Sequence, residues 1–274
     1  MCGTCGAGVT QPPARPDELA GLYPSGYGPH NEPGRRVLRS ISKTIRRYQA
    51  AVAWRRPPLA ALAGLKPASG LDVGAGRGDT SAALGARGWS MTAIEPAATA
   101  ARALRERGLD GREGVLATVS LQPGSYAFVL FEHSLEHTID PLGDLRGAYD
   151  ALRPGGLVLI SVPNFGSWQR RGFGGCWFHL DVPRHRVHFT TVALERALGE
   201  AGFRDARFTR SSSSVGLPAS LQYRLVGRCI FPDGMRLRIA ADLFALSLPL
   251  TWLLDRMAGE ADTLHAVARK RGAA

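Results

Sequence analysis

Lysine is scarce in this 274-residue chain: Lys43, Lys66 and Lys270 are the only three among 34 basic residues, and the rest are arginine. Arginine, alanine, glycine and proline share G/C-rich codons. The formal net charge of +11 is therefore in large part compositional and does not by itself require a nucleic acid. Cysteine is equally sparse, at Cys2, Cys5, Cys176 and Cys229, too few for a disulfide framework. The opening "MCGTCG" holds one C-x-x-C. A closed tetrahedral metal site needs four ligands, and no second C-x-x-C exists. The start also lacks the apolar core that precedes a secretory cleavage site, so the expectation is a cytoplasmic chain with reduced thiols. The longest apolar stretch, "IAADLFALSLPLTWLL", has 16 residues and is broken by Asp242 and Pro249. A spanning helix needs about 20, so a buried hairpin or an interfacial segment is expected there. An apolar share of 45% against 21% charged excludes a disordered chain.

What is present is a regular alternation of strands and helices. Residues 1–34 are rich in glycine and proline and should be mostly irregular, with Tyr23 and Tyr27 in a coil or a closing flap. Val37, Ile41, Ile45, Tyr48 and Val52 then mark one helical stripe, with six basic residues mostly off it. This is a basic amphipathic helix that either packs on the domain, covers a site or touches a membrane surface. From Leu65, "SGLDVGAG", "WSMTAIEP", "SYAFVLFEH", "LVLISVPN", "FRDARFTR" and "DTLHAVARK" read as strands. "DTSAALGARG", "AATAARALRERG", "PLGDLRGAYDALRPGG" and "TTVALERALGEAG" read as helices. Ser211–Pro218 reads as a polar loop. Such units imply a doubly wound, mostly parallel sheet with helices on both faces. Its ligands sit at the carboxyl ends of the strands. Four segments are expected: residues 1–64 (flexible segment and helical lid), 65–213 (α/β core), 214–258 (helical insert) and 259–274 (final strand and tail).

"LDVGAGRGD" gives glycines at 74, 76 and 78. They let the backbone turn tightly and meet a ligand closely, with free N–H groups facing it at the following helix. Glu95 ends the next strand, 21 residues after Gly74, where a carboxylate can accept both hydroxyl protons of a ribose. The third glycine of a dinucleotide fingerprint is missing, because position 79 is Asp79. A carboxylate there repels a pyrophosphate, so the ligand is a nucleoside without phosphates.

With these residues in order, "LDVGAGRG", "AIEP", "EHSLEHTIDP", "LRPGGLVLISVPN" and "HLDVPRHRVHFT" resemble the class I S-adenosylmethionine-dependent methyltransferases. The branch is that of ubiquinone-biosynthesis and bacterial small-molecule or glycan methyltransferases. The resemblance implies a seven-stranded Rossmann-like sheet and S-adenosyl-L-methionine as cofactor. It implies that Asp72 and the backbone of Gly74, Ala75, Gly76 and Gly78 hold the methionine end, that Glu95 binds the ribose and that Pro96 shapes the turn. Phe131, Glu132 and His133 would line the cofactor near its sulfonium, and Val115 and Leu116 would sandwich the adenine. The chain has Tyr126-Ala127 where the family often has Phe-Asp.

His133, Glu136 and His137 spell H-x-x-E-H, an inverted zinc-peptidase pattern. That chemistry requires both histidines on one helix face. Here the strand ends near Phe131, and Pro141 biases Asp140 away from helix. A turn at the cofactor's mouth fits better, and methyl transfer needs no metal. It gains most from aligning the reactants in a dry site; a hydroxyl acceptor also needs a base near neutrality, the role of histidine. His133, His137 and His185 are the catalytic candidates, His133 first because it lies nearest the strand end. Trp177, His179, Arg184 and His188, in "CWFHLDVPRHRVHFT", supply the aromatics and convergent polar groups of a substrate pocket. Asp181 near Arg184 reads as a local ion pair. The expected activity is methyl transfer to a small-molecule acceptor, a hydroxyl on a quinone or lipid precursor or a sugar. RNA methylation and a non-catalytic module docked at a membrane are the alternatives. The acceptor, the target atom and the oligomeric state stay open.

Overall fold

The computed structural model describes residues 1–12, 56–227 and 247–272. The basic helix expected from Arg35, the two tyrosines before it, Cys229 and the first half of the apolar stretch lie outside them. The chain divides into two units. One comprises Met1–Arg35, Val162–Leu194 and Arg210–Leu264; the other comprises Arg36–Ser161, Glu195–Thr209 and His265–Ala274.

The second unit is built on the sheet. Its strands are β2 (Ser69–Val73), β3 (Ser90–Glu95), β4 (Asp110–Glu113), β5 (Tyr126–Glu132), β6 (Leu152–Pro163), β8 (Arg204–Ser211) and β9 (Thr263–Arg269), in the order β4-β3-β2-β5-β6-β9-β8. β2 pairs in parallel with β3 and β5, and β5 in parallel with β6. β9 runs against β6: Gly155 donates to the Lys270 carbonyl at 3.1 Å, and Lys270 donates to that of Gly156 at 2.9 Å. β5 is a run of apolar residues because both of its faces are covered; Phe128 to Phe131 are fully buried. On one face Leu59, Leu62, Leu84, Trp89 and Met91 pack around Phe128, with the Trp89 ring edge-on to it at 5.0 Å.

The helices here are α1 (Asp79–Gly85), α2 (Ala98–Glu106), α3 (Pro141–Ala151) and α5 (Thr191–Glu200), which begins in the other unit. α2 buries Ala100, Ala101 and Leu104. α3 starts where its sequence dictates: the Asp140 side chain accepts the Gly143 amide at 2.9 Å, and Pro141 needs no amide partner. It stops at Ala151, three residues before the expected end at Pro154. Pro154 holds Arg153 out of the helical region, and β6 has already begun, with a register shift between Tyr126 and Phe128 on β5.

The first unit contains a ribbon of β1 (Gly8–Val9) antiparallel to β7 (Val187–His188), where an irregular start was expected. It also holds α4 (Trp168–Phe173), α6 (Gly216–Val226) and a helical stretch over residues 247–258. The expected polar loop thus ends at Val215. Ser213 Oγ accepts the Val215 and Gly216 amides at 3.1 and 3.0 Å, which starts α6 early. Trp168 Nε1 and Gln169 Nε2 both donate to the buried Asp255, at 2.6 and 3.3 Å. No described helix is long and apolar enough to cross a membrane.

Candidate functional site

At the carboxyl edge of β2 the glycine turn folds back on β3. The amides of Gly74 and Ala75 both reach the Ile94 carbonyl, at 2.9 and 3.2 Å. Gly74 has φ 74°, and a Cβ there would lie 2.5 Å from the Ser134 Cβ. Gly76 has φ 55° and opens on space, with nothing within 4 Å of a would-be Cβ. One glycine is thus required by a neighbour, and the next has open space where a side chain would stand. The Gly76 amide donates to Glu95 Oε1. Asp72 is buried below the turn and accepts the Ser81 hydroxyl at 2.6 Å. Glu132, at the end of β5, accepts the Thr80 hydroxyl at 2.6 Å. Phe131 itself is wholly in the core.

Three carboxylates therefore converge. Burial, and then the charges of Glu132 and Glu95, push the Asp72 carboxyl up to about 7 against the opposing Ser81 hydrogen bond. Burial also raises Glu95, opposed by the Gly76 amide. The folded chain thus keeps a proton on Asp72 that the unfolded chain, with a carboxyl near 3.9, releases earlier. Stability from this group is full below about pH 4 and is lost as pH rises to about 7. Asp72→Asn should flatten that fall, read as urea midpoints from pH 4 to 8.

Next to this acid edge stands the H-x-x-E-H turn. Leu135–His137 is a single 3-10 turn, not the longer helix a zinc peptidase uses. His133 is held at φ 54°, a conformation rare for a residue with a Cβ. Its amide donates to the Ser161 carbonyl at 2.9 Å. Its Nδ1 lies 3.5 Å from Oε1 of Glu136, whose side chain is 2% exposed while that of His133 is 46% exposed. Ser134 Oγ donates to the Val73 carbonyl at 2.5 Å, so this turn and the glycine turn are locked together. The Ser161 hydroxyl meets His265 Nδ1 at 2.8 Å. Burial, and then the charge of His133, lower His265 to about 4. His265 is thus a neutral ring at any physiological pH.

The remaining nominated residues lie in the first unit. His185 Nδ1 donates to the His179 carbonyl at 2.8 Å, and its Nε2 lies 3.8 Å from Oδ2 of Asp181. His188 is buried and stacks on Phe165 at 5.1 Å. The Thr10 hydroxyl donates to the His185 carbonyl at 2.6 Å and lies 3.1 Å from His188 Nε2. Its proton is spent on the carbonyl, so His188 carries its own on Nε2. His179 Nε2 lies 3.2 Å from Oδ2 of the fully buried Asp262, whose Oδ1 accepts the Ser213 amide at 2.7 Å. Asp262 fixes the Nε2–H form of His179, whose Nδ1 has no hydrogen-bond partner among the described residues. Arg184 pairs with Asp181 at 2.9 Å, the local pair expected. Trp177 is buried beside Phe165 and His179. Phe165, Arg170, Leu180, Val182 and His188 line a cavity of about 250 Å³. A larger cavity of about 400 Å³ lies at the start of β2 and β3, the opposite edge from the glycine turn, and is not part of this site. Gly216 bears on the His179 pair: a Cβ there would stand 2.0 Å from Asp262 Oδ2. Gly216→Ala should cost about 1–3 kcal/mol, measured by urea unfolding.

Residues 45–207 match the family model described as a methyltransferase domain. The chain belongs to that family. Two ubiquinone biosynthesis O-methyltransferases are similar: that of Xanthomonas campestris pv. campestris is 34% identical over 113 residues, and that of Pseudomonas paraeruginosa 35% over 109. These cover 39% and 37% of this chain, which spans about half of each relative, 47% in both cases. Among solved structures, a possible histamine N-methyltransferase from Thermotoga maritima superposes with a TM-score of 0.56 at 17% identity, over 85% of this chain and 96% of that one. A phosphoethanolamine N-methyltransferase from Haemonchus contortus bound to S-adenosylmethionine gives 0.53 at 15%, over 92% and 57%. These structures share the fold.

This methyltransferase uses S-adenosylmethionine, and its own residues fit that group. A Cβ at Gly76 would meet nothing within 4 Å, and the carboxylates Glu95 and Glu132 stand at the ends of their strands beside the turn. In the sequence Glu136 is visible as the acid of the H-x-x-E-H turn, three residues from His133, whereas His265, Asp262 and Thr10 are not singled out. Asp262 and Thr10 carry no signal there, because their partners are some 83 and 178 residues away in sequence.

Proposed function

We propose that this methyltransferase modifies a hydroxyl on a small, ring-bearing acceptor, with His133 as the general base and Glu136 as its orienting partner. The observation that carries the reading is the His133–Glu136 pair at the end of β5, on a backbone held in a left-handed conformation. A phenolic hydroxyl titrates near 10, so removing its proton as the new bond forms lowers the barrier. In this reading Glu136 faces Nδ1, and Nε2 takes the acceptor's proton. The buried carboxylate then stabilises the imidazolium. His137 ends the turn that carries Glu136 and serves in support.

When bound, S-adenosylmethionine supplies a methyl group on a positively charged sulfur. Gly74 to Gly78 and Asp72 hold its methionine end, Glu95 its ribose, and Glu132 the edge nearest the sulfur, with Phe131 packed in the core behind it. Acceptor recognition is assigned to the first unit: Trp177, His179, His185 and His188, with Arg184 fixing the loop through Asp181. The O-methylation in the names of the Xanthomonas and Pseudomonas relatives supports an oxygen target.

The test is transfer of labelled methyl from S-adenosylmethionine to three probes: catechol, an alkyl glucoside and a short RNA. Label in catechol, lost in His133→Gln, is the expected result. Label in RNA alone would overturn the reading.

A further inference from the structure

Two helices of the first unit are built inside out. In residues 247–258 the inward side is polar: Thr251 and Asp255, one helical turn apart, are both buried. Asp255 accepts the Trp168 Nε1 and Gln169 Nε2 hydrogens of α4, at 2.6 and 3.3 Å. The outward side is apolar. Leu250, Leu253 and Met257 recur at steps of three and four and so form one stripe, with Trp252 and Arg256 along its edge. The four apolar side chains are between 48% (Leu253) and 76% (Met257) exposed. α6 repeats the arrangement. It buries Gly216, Ala219 and Ser220 and exposes Leu221, Leu225 and Val226. Its Arg224 donates to the Gly172 carbonyl of α4 at 3.1 Å, so both helices are tied to α4 through polar contacts.

A helix on a globular domain ordinarily turns its apolar side inward, and large apolar groups gathered on an outer face mark a contact surface. Charge says what that surface meets. α6 has no acidic residue, and the only one in residues 247–258 is the buried Asp255. The charged groups on the two outer faces are Arg224 and Arg256, both exposed. A second copy of the chain docked face to face would set arginine against arginine. A surface of anionic lipid accepts both parts: its boundary takes the leucines and the methionine, and its headgroups take the guanidinium groups. Arg256 lies over the Trp252 ring, 5.6 Å from its centre, and tryptophan and arginine are side chains that settle at headgroup level. Asp255 ties the other side of the helix to α4, so one side alone is open to lipid. That is the arrangement of a helix lying along a membrane boundary.

We propose that residues 247–258, together with the outer face of α6, form a docking surface for an anionic lipid membrane. Leu250, Leu253 and Met257 enter the boundary, and Arg256 and Arg224 meet the headgroup phosphates. Both helices belong to the unit to which acceptor recognition is assigned above; the surface stands without that assignment.

The test is co-sedimentation of the full chain with vesicles of phosphatidylcholine alone and of phosphatidylcholine mixed with phosphatidylglycerol. Partition to the mixed vesicles is expected, with far less to the neutral ones and a fall as salt is raised. Arg256→Gln and Arg224→Gln should each lower it about fivefold. Leu253→Ser with Met257→Ser should lower it about tenfold or more, and leave the urea midpoint of the free protein unchanged. Leu221→Ser with Leu225→Ser reads the α6 face separately and should lower it too. Equal partition to neutral and anionic vesicles, or none to either, overturns the proposal. Partition untouched by the 253 and 257 pair overturns it as well, and partition untouched by the 221 and 225 pair removes α6 from the surface. A dimer in sedimentation velocity without vesicles, dissolved by the 253 and 257 pair, would mean that a second copy fills the face. If the residues joining the two helices cover the stripe instead, that pair lowers the urea midpoint and vesicles take up no protein. Methyl transfer enters none of these readings.

Discussion

Glu95→Ala and Gly76→Val are each expected to weaken S-adenosylhomocysteine binding by about a hundredfold or more, measured by isothermal titration. In the proposed reading Glu95 offers a buried carboxylate to a ribose diol, and hydrogen bonds to a charged group contribute about 1.5–3 kcal/mol each. Losing two removes about 3 kcal/mol or more, and every 1.4 kcal/mol is tenfold in affinity. Gly76→Val acts differently. Its φ of 55° is unfavourable for a β-branched residue, and the new side chain would enter the space that now meets nothing within 4 Å. Gly76→Ala is the gentler control, smaller in bulk but subject to the same backbone strain. Unaltered affinity in Glu95→Ala and Gly76→Val, with the fold intact, would remove the glycine turn from the cofactor site.

Replacing His133 should divide methyl transfer to catechol by about 10² to 10⁴, the usual range for a lost general base, while S-adenosylhomocysteine affinity holds. His133→Gly adds a second reading. Glycine adopts the left-handed conformation without strain, and relief of such strain is of order 1 kcal/mol. The glycine variant should thus unfold at higher urea than His133→Ala although both are equally inactive. Glu136→Gln should retain partial activity and move the acid limb of the pH–rate profile to lower pH, because the imidazolium would no longer face a carboxylate. Full activity in His133→Ala would move the base elsewhere. Equal stability of the glycine and alanine variants would mean the backbone carries no strain there.

Much of this was legible in the chain itself, for physical reasons that can be traced. β5 declared itself as "YAFVLF" because a strand covered on both faces has no polar side. The glycine turn declared itself because bare backbone and a distant acid are demanded together. β4 was not foreseen: its sequence is "DGRE" and only Gly111 is buried, as befits an edge strand with little apolar surface to hide. Yet its pairing sets Glu113 opposite Glu95. The β1–β7 ribbon escaped notice because two-residue strands carry no periodicity. The His179–Asp262 pair escaped because nothing local announces a partner that arrives from the far end of the chain. Pro154 and the two glycines after it mark the end of the helix in the sequence, but the next strand already begins at Leu152 and the helix stops at Ala151.

The bond from Ser134 to the Val73 carbonyl, with Gly74 packed against the same serine, has a consequence for anyone recombining this enzyme with a relative. The two crests of the sheet behave as a single exchangeable part. A transplanted segment after β5 will seat only on a recipient that has glycine at the position of Gly74 and a small side chain opposite it. Swaps that honour one half and ignore the other should yield proteins that assemble but bind the methyl donor poorly.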